Sequence, residues 1–548
     1  MYQLQLTQSL VTAQPETPYR PMTIAALLHQ QVAARGPEPA LREVLTDGAI
    51  GREWCFADLL ADSERLGRAL AGRHERGERI AIFADNIPEW VLMELAAPLA
   101  ALTLVTVNPA LGADELRYVL EQSRASAIYF ARSVRGNPLE PVVEAACNLV
   151  PTIAHRIALT DHAALFEGES SGLLRDTVPT DVVQIQYTSG TTGRPKGAML
   201  HQAGLIQNGF DSWHRLGANP GETMLTTLPL FHTAGCALSV LGGLAHGMTL
   251  LLARAHDTAL LTRLIERERP ALLVVVPTVL VNLIEEAERT GRDLASFKAI
   301  MVGGAMVSPE LIARARRAFH APVQIIYGQT EASPGITLAW SGDADEGMSG
   351  TIGQPLPHMD VAILDTASGA VCPVGSQGEI CCRGYNVMSG YNDNPQATAA
   401  AIDADGWLHT GDLGTMNERG YVSLTGRVKD MIIRGGENLF PVEIENAMLE
   451  HDAILEVAVV GIPDEKWGEI VACFMRPAGD ARPRTDELKR FIRDRLSPQK
   501  TPAHWIWVDG WPMTGSGKIQ KFALRDAYLK GEFASSLVAP LPVQPTSA

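Results

Sequence analysis

The chain has 548 residues, too many for one compact core, so several domains are expected. Its charged, glycine and proline contents are ordinary for a globular enzyme and argue against disordered or fibrous classes. The formal net charge of −16 argues against a general nucleic-acid binder, because phosphate contacts need clustered cations.

The first predicted elements follow an alternating pattern. "RIAIFA" predicts a strand, "PEWVLMELAAPLAA" a helix, "LTLVTVN" a strand, "DELRYVLEQSR" a helix and "ASAIYFA" a strand. The pattern resumes where a strand gives way at Pro277 to a helix, and again where Ser308 and Pro309 predict a helix start. Such alternation indicates βαβ units with largely parallel sheets.

Two long apolar runs, Val91–Val107 and Ala234–Ala253, have nearly the length of a membrane span. The first carries Glu94 and Pro98, and the second carries His246 and internal glycines. A spanning helix needs about 20 apolar residues with few interruptions, so each run is predicted as a buried helix followed by a buried strand. The start of the chain lacks signal-peptide features, which leaves the cytoplasm as the default location and gives no transmembrane segment.

After Thr351 the segments become short and glycine-punctuated, which predicts a small antiparallel β region. Beyond Arg427 a fresh α+β pattern begins, and a domain break is predicted near residues 426–430. The tail, residues 534–548, is rich in proline and small residues and is predicted to be disordered. The seven cysteines form no CxxC pair, so we predict buried free thiols rather than zinc ligands or disulfides.

The stretch "YTSGTTGRPKGAM", residues 187–199, combines hydroxyl side chains, three glycines that leave the backbone accessible, and one lysine. It is not a Walker A loop, because that pattern needs lysine directly followed by serine or threonine, whereas here Pro195 precedes Lys196 and Gly197 follows it. Hydroxyls and free amides still make an anion cradle, and Lys196 adds a point charge. By composition alone, a surface turn is an equal alternative.

The full string resembles the diphosphate-binding loop of the adenylate-forming superfamily, which includes acyl-CoA synthetases, luciferases and peptide-synthetase adenylation domains. Further matches follow in the family's order. They are "PLFHTAG" (229–235), "YGQTE" (327–331), "HTGD" (409–412), "GRVKDMIIRGGENLFPVEIE" (426–445) and "PMTGSGKIQK" (512–521). The resemblance therefore spans nearly the whole chain.

The resemblance implies an α/β fold: a large N-terminal domain of βαβ-type sheets plus a small β region, followed by a small mobile α+β C-terminal domain. We expect an adenylation domain at 1–426, a hinge at 427–430, the mobile domain at 431–533 and the tail beyond it. Lys429 is the matching hinge position; many relatives have Asp there, and Lys is a known variant.

The resemblance also implies an ATP site. Its expected residues are Thr188, Ser189, Gly190, Thr191, Thr192, Gly193, Lys196, Gly304, Ala305, Tyr327, Gly328, Gln329, Thr330, Asp412, Arg427 and Lys518. Tyr327 would stack on adenine, Asp412 with Arg427 would bind the ribose, and Lys518 would contact the substrate carboxylate and the adenylate. A core tyrosine and an ordinary turn aspartate are the competing interpretations of Tyr327 and Asp412.

The expected catalytic residues are Lys518, Glu331, Thr188 and His232, with Glu331 and Thr188 holding Mg²⁺, a cation that prefers oxygen ligands. His232 has a core histidine as its alternative. Coenzyme A is expected at Arg434, Gly435, Gly436 and Trp467, with a packing role as the equal alternative for Trp467. The expected acyl pocket comprises Asn208, Trp213, His232, Ala234, Ala305, Gly328, Pro334 and Gly335, which are mostly small or apolar.

Together these features predict an AMP-forming carboxylate–CoA ligase that uses ATP, Mg²⁺ and coenzyme A. An apolar fatty or aryl acid is the expected small-molecule partner, with no nucleic acid and with a homodimer left open. One alternative keeps the adenylation but passes the acyl group to an amine or a carrier-protein thiol. A nonenzymatic nucleotide-binding regulator is a third interpretation, which the retained Lys518, Glu331 and Asp412 disfavour.

Overall fold

The computed structural model describes residues 1–170, 172–188, 195–254, 257–305, 307–343, 348, 350–435, 437–479, 481–513 and 519–533, without the side chain of Asn438. Several predicted positions lie outside these residues: Ser189 to Gly193, Gly436, Lys518 and the tail 534–548.

Contacts divide the chain into two units. The larger comprises Met1–Ala362, Cys381–Thr410 and Met416–Val422, and the smaller comprises Ile363–Ile380, Gly411–Thr415 and Ser423–Ala548. This mixed α/β organisation, with a large N-terminal and a small C-terminal domain, confirms the predicted fold class.

The helices of the larger unit are α1 (Ile24–Arg35), α2 (Phe56–Arg73), α3 (Pro88–Leu99), α4 (Ala113–Ser123), α5 (Glu140–Cys147), α6 (His162–Leu165), α7 (Gln202–Arg215), α8 (Gly243–Ala245), α9 (Thr258–Glu268), α10 (Pro277–Thr290), α11 (Pro309–Phe319) and α12 (Pro395–Ala401). A π-helix covers Ala234–Gly242 and a 3₁₀ turn covers Thr330–Ala332.

The strands that begin in the larger unit are β1 (Leu10–Val11), β2 (Pro39–Val44), β3 (Ile50–Cys55), β4 (Arg79–Phe83), β5 (Thr103–Val107), β6 (Ala127–Phe130), β7 (Ser133–Val134), β8 (Asn137–Pro138), β9 (His155–Ala158), β10 (Val182–Thr188), β11 (Lys196–His201), β12 (Thr223–Thr226), β13 (Thr249–Ala253), β14 (Leu272–Val275), β15 (Ala299–Gly303), β16 (Val323–Gly328), β17 (Gly335–Leu338), β18 (Gln354–Pro355) and β19 (Met359–Leu364). They are followed by β20 (Gly378–Gly384), β21 (Gly390–Tyr391), β22 (Leu408–Met416) and β23 (Val422–Arg427).

Two large sheets organise this unit. One has the strand order β21-β11-β10-β5-β4-β6-β9, and the other has the order β18-β17-β16-β15-β14-β12-β13-β2-β3. Their central strands are parallel, as the βαβ pattern predicts, and antiparallel pairs such as β10–β11 and β16–β17 extend them. The predicted helix starts are confirmed, since Pro277 begins α10 and the Ser308 side chain caps α11 by accepting from the amide of Leu311.

Both apolar runs form a buried helix followed by a buried strand, as predicted. The second run adopts π-helical geometry at its start and packs tightly on α7. A Cβ atom on Gly209 would lie 2.6 Å from the Ala237 carbonyl oxygen, so this contact requires glycine. Within the described ranges, no helix has the length and apolarity needed to cross a bilayer.

The smaller unit contains β24 (Ile432–Arg434), β25 (Glu437–Leu439), β26 (Ile454–Asp464), β27 (Gly468–Pro477), β28 (His504–Trp507), α13 (Pro441–Leu449), α14 (Thr485–Arg493) and α15 (Lys521–Leu529). Its sheet buries side chains on both faces: Val457 and Val459 join one apolar cluster, and Ala458 and Val460 join another. This double burial explains the continuous apolar sequence of β26.

Six of the seven cysteines are buried and Cys55 is half-buried, and all seven are free, in agreement with the prediction.

Candidate active site

The predicted phosphate loop joins two paired strands of the larger unit. β10 ends at Thr188, β11 begins at Lys196, and these two residues are cross-strand partners. The residues between them in the predicted site, 189–193, lie outside the described part of the chain. The antiparallel pairing therefore brings the first hydroxyl and the lysine of the motif to one end of a hairpin.

Glu331 lies beside this hairpin end. It occupies the 3₁₀ turn after β16, with 8% of its surface exposed. Its Oε1 atom accepts hydrogen bonds from the hydroxyls of Thr188 (3.3 Å) and Tyr391 (2.8 Å). The Lys196 Nζ atom lies 5.0 Å from the centroid of the Tyr391 ring. The structure thus brings together Thr188, Lys196 and Glu331.

Tyr391 was missed by the sequence reasoning. It lies on β21, which pairs with β11 through Ala198 and Met199. Burial, and secondly the negative charge of Glu331, raise the pKa of the Tyr391 hydroxyl, so it stays protonated and donates to the carboxylate. No local motif marks this tyrosine; only the strand pairing places it at the site.

The predicted adenine-side residues lie at the carboxyl ends of β15 and β16. These neighbouring strands run parallel, with Gly303 paired to Ile326, so Gly304 and Ala305 emerge at the same sheet edge as Tyr327 and Gly328. Gly304 has φ +84° and is exposed, as is Ala305. Nucleotides bind at this edge in open α/β sheets.

Gly328 and Gln329 are constrained by the chain that follows them. A Cβ atom on Gly328 would lie 1.9 Å from the Pro334 carbonyl oxygen, and the Gln329 amide donates to that same oxygen at 2.9 Å. Thr330 and Tyr327 are half-buried. The turn that carries Glu331 is therefore folded back tightly on itself.

Two predicted acyl-pocket residues use their polar atoms inside the protein. The Asn208 side chain donates to the Gly335 carbonyl and accepts from the Gly335 amide, both at 2.8 Å. Trp213 is fully buried, and its indole N–H donates to the Leu238 carbonyl at 2.6 Å. Both side chains therefore fix α7 against its neighbours.

His232 lies directly before the π-helix that begins at Ala234. Its ring packs against Phe231 with centroids 4.7 Å apart, and its carbonyl accepts from the amides of Gly235 and Cys236. His232 and Ala234 are half-buried. π-helical stretches occur frequently at functional sites, which draws attention to this segment.

In the smaller unit, the predicted ribose-binding residues contact each other. Asp412 is buried, and the Arg427 Nε atom donates to its Oδ1 atom at 2.6 Å. Lys429 is exposed, two residues beyond Arg427, in a turn closed by a hydrogen bond from the Asp430 amide to the Arg427 carbonyl.

The predicted coenzyme A residues of the smaller unit cluster around Trp467. Trp467 is 44% exposed, and the Arg434 guanidinium and the Lys466 Nζ atom lie 5.8 Å and 4.9 Å from its ring centroid. Gly435 has φ +60°, and its amide donates to the Trp467 carbonyl at 2.7 Å. Sequence reasoning missed Lys466, which supplies a second cation. An exposed indole flanked by two cations suits an anionic ligand with a flat ring.

A buried polar cluster that the sequence reasoning also missed lies below the hairpin end. Gln184 and Gln186 occupy the same face of β10 as Thr188, because alternate residues of a strand share a face. Gln184 donates to the Glu94 carboxyl at 2.7 Å and accepts from Gln186 at 2.8 Å. Burial raises the pKa of Glu94 to about 8.

The parallel sheets, and a carboxylate beside a hydroxyl- and lysine-bearing hairpin, agree with the fold and site expected of the adenylate-forming class of enzymes. The AMP-binding enzyme model matches residues 28–392, and the AMP-binding enzyme C-terminal domain model matches residues 443–518. The chain belongs to the AMP-binding enzyme family.

Three similar proteins illustrate the relationship. The chain is 36% identical over 536 residues to the putative acyl-CoA synthetase YngI of Bacillus subtilis, covering 92% of this chain and 96% of YngI. It is 32% identical over 535 residues to the mitochondrial medium-chain acyl-CoA ligase ACSF2 of Macaca fascicularis, covering 91% and 86%. The structure of o-succinylbenzoate CoA synthetase (MenE) of Bacillus subtilis, in complex with the acyl-adenylate intermediate OSB-AMP, matches with TM-score 0.79 and 28% identity, covering 91% and 98%.

These matches confirm the predicted superfamily, the fold class and the prediction of an enzyme of the acyl-CoA synthetase and ligase group.

Replacing Glu94 by Gln tests the protonation state of the buried cluster. Because the pKa of Glu94 is about 8 in the folded protein and 4.5 ordinarily, the folded state retains a proton that the unfolded chain loses. The free energy of unfolding should therefore fall as pH rises from about 5 to 8, by up to ~1.4 kcal/mol per pH unit from this group.

In urea unfolding at pH 6, 7 and 8, Glu94→Gln should flatten this decline, whereas Glu144→Gln, an exposed control on α5, should not. Identical slopes for Glu94→Gln and the wild type would show that Glu94 is already ionised at pH 6.

Proposed function

We propose that the protein is an AMP-forming carboxylate–CoA ligase acting on an apolar fatty or aryl acid. The observation that carries this proposal is the pair of hydrogen bonds from Thr188 and Tyr391 to the Glu331 carboxylate. These bonds lie at the end of the β10–β11 hairpin, where Lys196 begins β11. The names of the relatives YngI and ACSF2, and the acyl-adenylate bound to MenE, support the same reaction.

In the first half-reaction, a carboxylate oxygen of the acid attacks the α-phosphorus of ATP. The bond from that phosphorus to the bridging oxygen breaks, and pyrophosphate leaves with the electron pair, giving an acyl-adenylate. Two anions must approach each other, so fixed cations and dipoles are needed where charge develops. We assign this role to Lys518, and the binding of the departing phosphates to Lys196 and the hydroxyl-rich loop.

Glu331 suits a divalent cation. Both hydroxyls bond Oε1, and among the described residues no hydrogen bond involves Oε2. Carboxylate and hydroxyl oxygens are the hard donors that Mg²⁺ prefers, so Glu331 and Thr188 would hold it. When bound, Mg²⁺ would neutralise charge on the phosphates.

Asp412 is assigned to the ribose hydroxyls, with Arg427 orienting its carboxylate, and Tyr327 is assigned to the adenine ring. Both assignments follow from the motif match, and the burial of Asp412 and its hydrogen bond from Arg427 support the ribose assignment.

In the second half-reaction, the coenzyme A thiol releases its proton to solvent and its sulfur attacks the acyl carbonyl carbon. The bond from that carbon to the phosphate oxygen breaks, and AMP leaves with the electron pair. We propose that the domain at 431–533 rotates about a hinge at 427–430, centred on Lys429, between the two steps. Hinges are short segments that absorb large backbone changes. The exposed Trp467, with Arg434 and Lys466, would receive the coenzyme A nucleotide.

The acid is proposed to have an apolar tail because the π-helix Ala234–Gly242, next to His232, is built from small and apolar residues. The same proposal places the enzyme in the cytoplasm, where ATP and coenzyme A are available.

A panel of fatty, aryl and dicarboxylic acids with ATP and Mg²⁺, with and without coenzyme A, tests the function. Acid-dependent exchange of labelled pyrophosphate into ATP is expected for apolar acids, and acyl-CoA should form only when coenzyme A is present. Lys518→Ala should slow adenylation at least about 100-fold, yet change conversion of supplied acyl-adenylate less than about threefold. Equal losses of rate in both half-reactions would contradict domain alternation. If the acyl group were transferred only to amines and never to coenzyme A, the protein would be an amide ligase and the CoA ligase proposal would be wrong.

Glu331→Gln tests the metal assignment. The amide keeps the size of the side chain but removes its charge, so the Mg²⁺ concentration for half-maximal pyrophosphate exchange should rise and the maximal rate should fall about 100-fold. Glu310→Gln, on the first turn of α11, is the exposed control. A loss of activity with an unchanged Mg²⁺ requirement would reject Glu331 as a ligand.

Trp467→Ala tests the coenzyme A assignment in the second half-reaction, thioester formation. Loss of one stacking platform should raise KM for coenzyme A about tenfold, since such stacking contributes about 1–3 kcal/mol. Adenylation should be unchanged. Phe522→Ala removes another exposed aromatic ring of the same unit and should leave KM unaltered. An unchanged KM in Trp467→Ala would place coenzyme A elsewhere.

A further inference from the structure

A segment that precedes the family match crosses the larger unit and contacts α7. We name residues 2–20 the strap; the AMP-binding enzyme model begins only at residue 28. The strap contains β1, which pairs antiparallel with β19, and the Ala13 amide donates to the Asp360 carboxylate at 2.9 Å. The strap is therefore part of the folded unit rather than a loose extension.

Three side chains of α7, spaced by four residues, face the strap. Residues at this spacing lie on one side of a helix. Hydrogen bonds join Gln207 Nε2 to the Pro18 carbonyl (3.2 Å), Thr17 Oγ1 to Asp211 Oδ1 (2.6 Å), and Arg215 Nη2 to Glu16 Oε2 (2.5 Å). One side of α7 is thus held by the strap over three successive turns.

Among these three side chains of α7, Arg215 carries a buried charge. Its side chain is 0% exposed, and its guanidinium lies 4.3 Å from the centroid of the Trp340 ring and 5.2 Å from that of Tyr2. Within the described part of the chain, Glu16 is its one ion-pair partner. Since a buried charge without a partner costs several kcal/mol, the placement of Arg215 depends on the strap.

α7 in turn holds β17 at both ends. Asn208 makes two hydrogen bonds to the backbone of Gly335, and Arg215 Nη1 donates to the Leu338 carbonyl at 3.0 Å. Gly335 is only four residues beyond Glu331, and Gly328, before the turn, is packed against Pro334. The position of β17 therefore limits where the Glu331 carboxylate can lie.

We propose that Glu16 is a positioning residue for the Glu331 turn. Its charge fixes Arg215, Arg215 and Asn208 fix β17, and β17 keeps Glu331 within reach of Thr188. The consequence for Mg²⁺ use and adenylation rests on the proposed function, whereas the mechanical coupling from Glu16 to β17 does not.

Hydrogen–deuterium exchange of the full chain tests the coupling without an activity assay. Glu16→Gln keeps the side-chain size but leaves Arg215 with neutral hydrogen-bond acceptors and without its carboxylate partner, so amides of Gly335–Leu338 should exchange about tenfold faster. Amides of β14, Leu272–Val275, should be unchanged and serve as the internal reference. Glu38→Gln, which removes the half-exposed pair with Arg35, is the control and should leave both strands unaltered. Equal acceleration in β14 and β17, or none in β17, would overturn the proposal.

Pyrophosphate exchange then tests the effect on the site. Glu16→Gln should raise the half-saturating Mg²⁺ concentration about fivefold while KM for coenzyme A in the thioester step stays constant. Tyr2→Phe keeps the ion pair and the ring beside Arg215 but removes the hydroxyl that bonds both Glu16 and Arg215, so it should raise the half-saturating Mg²⁺ concentration less than Glu16→Gln does. An effect of Tyr2→Phe equal to that of Glu16→Gln would assign the strap's influence to the hydrogen bonds of the Tyr2 hydroxyl and overturn the role of the Glu16 charge. If the wild type shows no acid-dependent exchange, the proposed function fails, and hydrogen–deuterium exchange still decides the coupling.

Discussion

The carboxylate of Glu331 is almost fully buried, and strands from distant parts of the chain meet around it. Two neutral hydroxyls, from Thr188 and Tyr391, bond one of its oxygens. Neutral hydrogen bonds offset only part of the cost of removing a carboxylate from water. A cation at the remaining oxygen would complete the balance, which is why the proposed metal and the phosphates that it would accompany belong at this point. Burial of Tyr391 keeps its hydroxyl protonated and so maintains the donor.

Holding the carboxylate there requires support from distant parts of the chain. β10 and β11 supply Thr188 and Lys196, β21 supplies Tyr391, and β16 leads directly into the Glu331 turn. Behind the turn, β17 is bonded by Asn208 and Arg215 of α7. Asn208 and Arg215 act through their hydrogen bonds to the backbone of β17, and their loss would displace β17 and the Glu331 turn. The strap extends this support through Glu16.

The two units divide the proposed chemistry. The larger unit carries the groups assigned to the phosphates and the acid, and the smaller unit carries Asp412, Lys429 and the Trp467 cluster. Lys518, assigned to the substrate carboxylate, also belongs to the smaller unit. In the proposed reaction, different residues of this unit are needed for adenylation and for thioester formation. In the proposal, a mobile domain would let Lys518 and Trp467 act in turn. The smaller unit has its own apolar clusters, one on each face of its sheet.

The sequence by itself determined the family, the fold class and the alternation of strands and helices in the βαβ segments, and it supplied the candidates for most residues assigned to the proposed reaction. It could do so because hydrophobic period and helix-start signals are local, as at Pro277 and Ser308, and because the motif strings are specific. It could not find Tyr391, which lies 60 residues from Glu331 in the chain, or Glu16, which lies 199 residues from Arg215. It also could not show that Asn208 and Trp213 use their polar atoms to hold α7. Strand register and helix packing bring these groups together, and only the tertiary structure decides which distant side chains become neighbours.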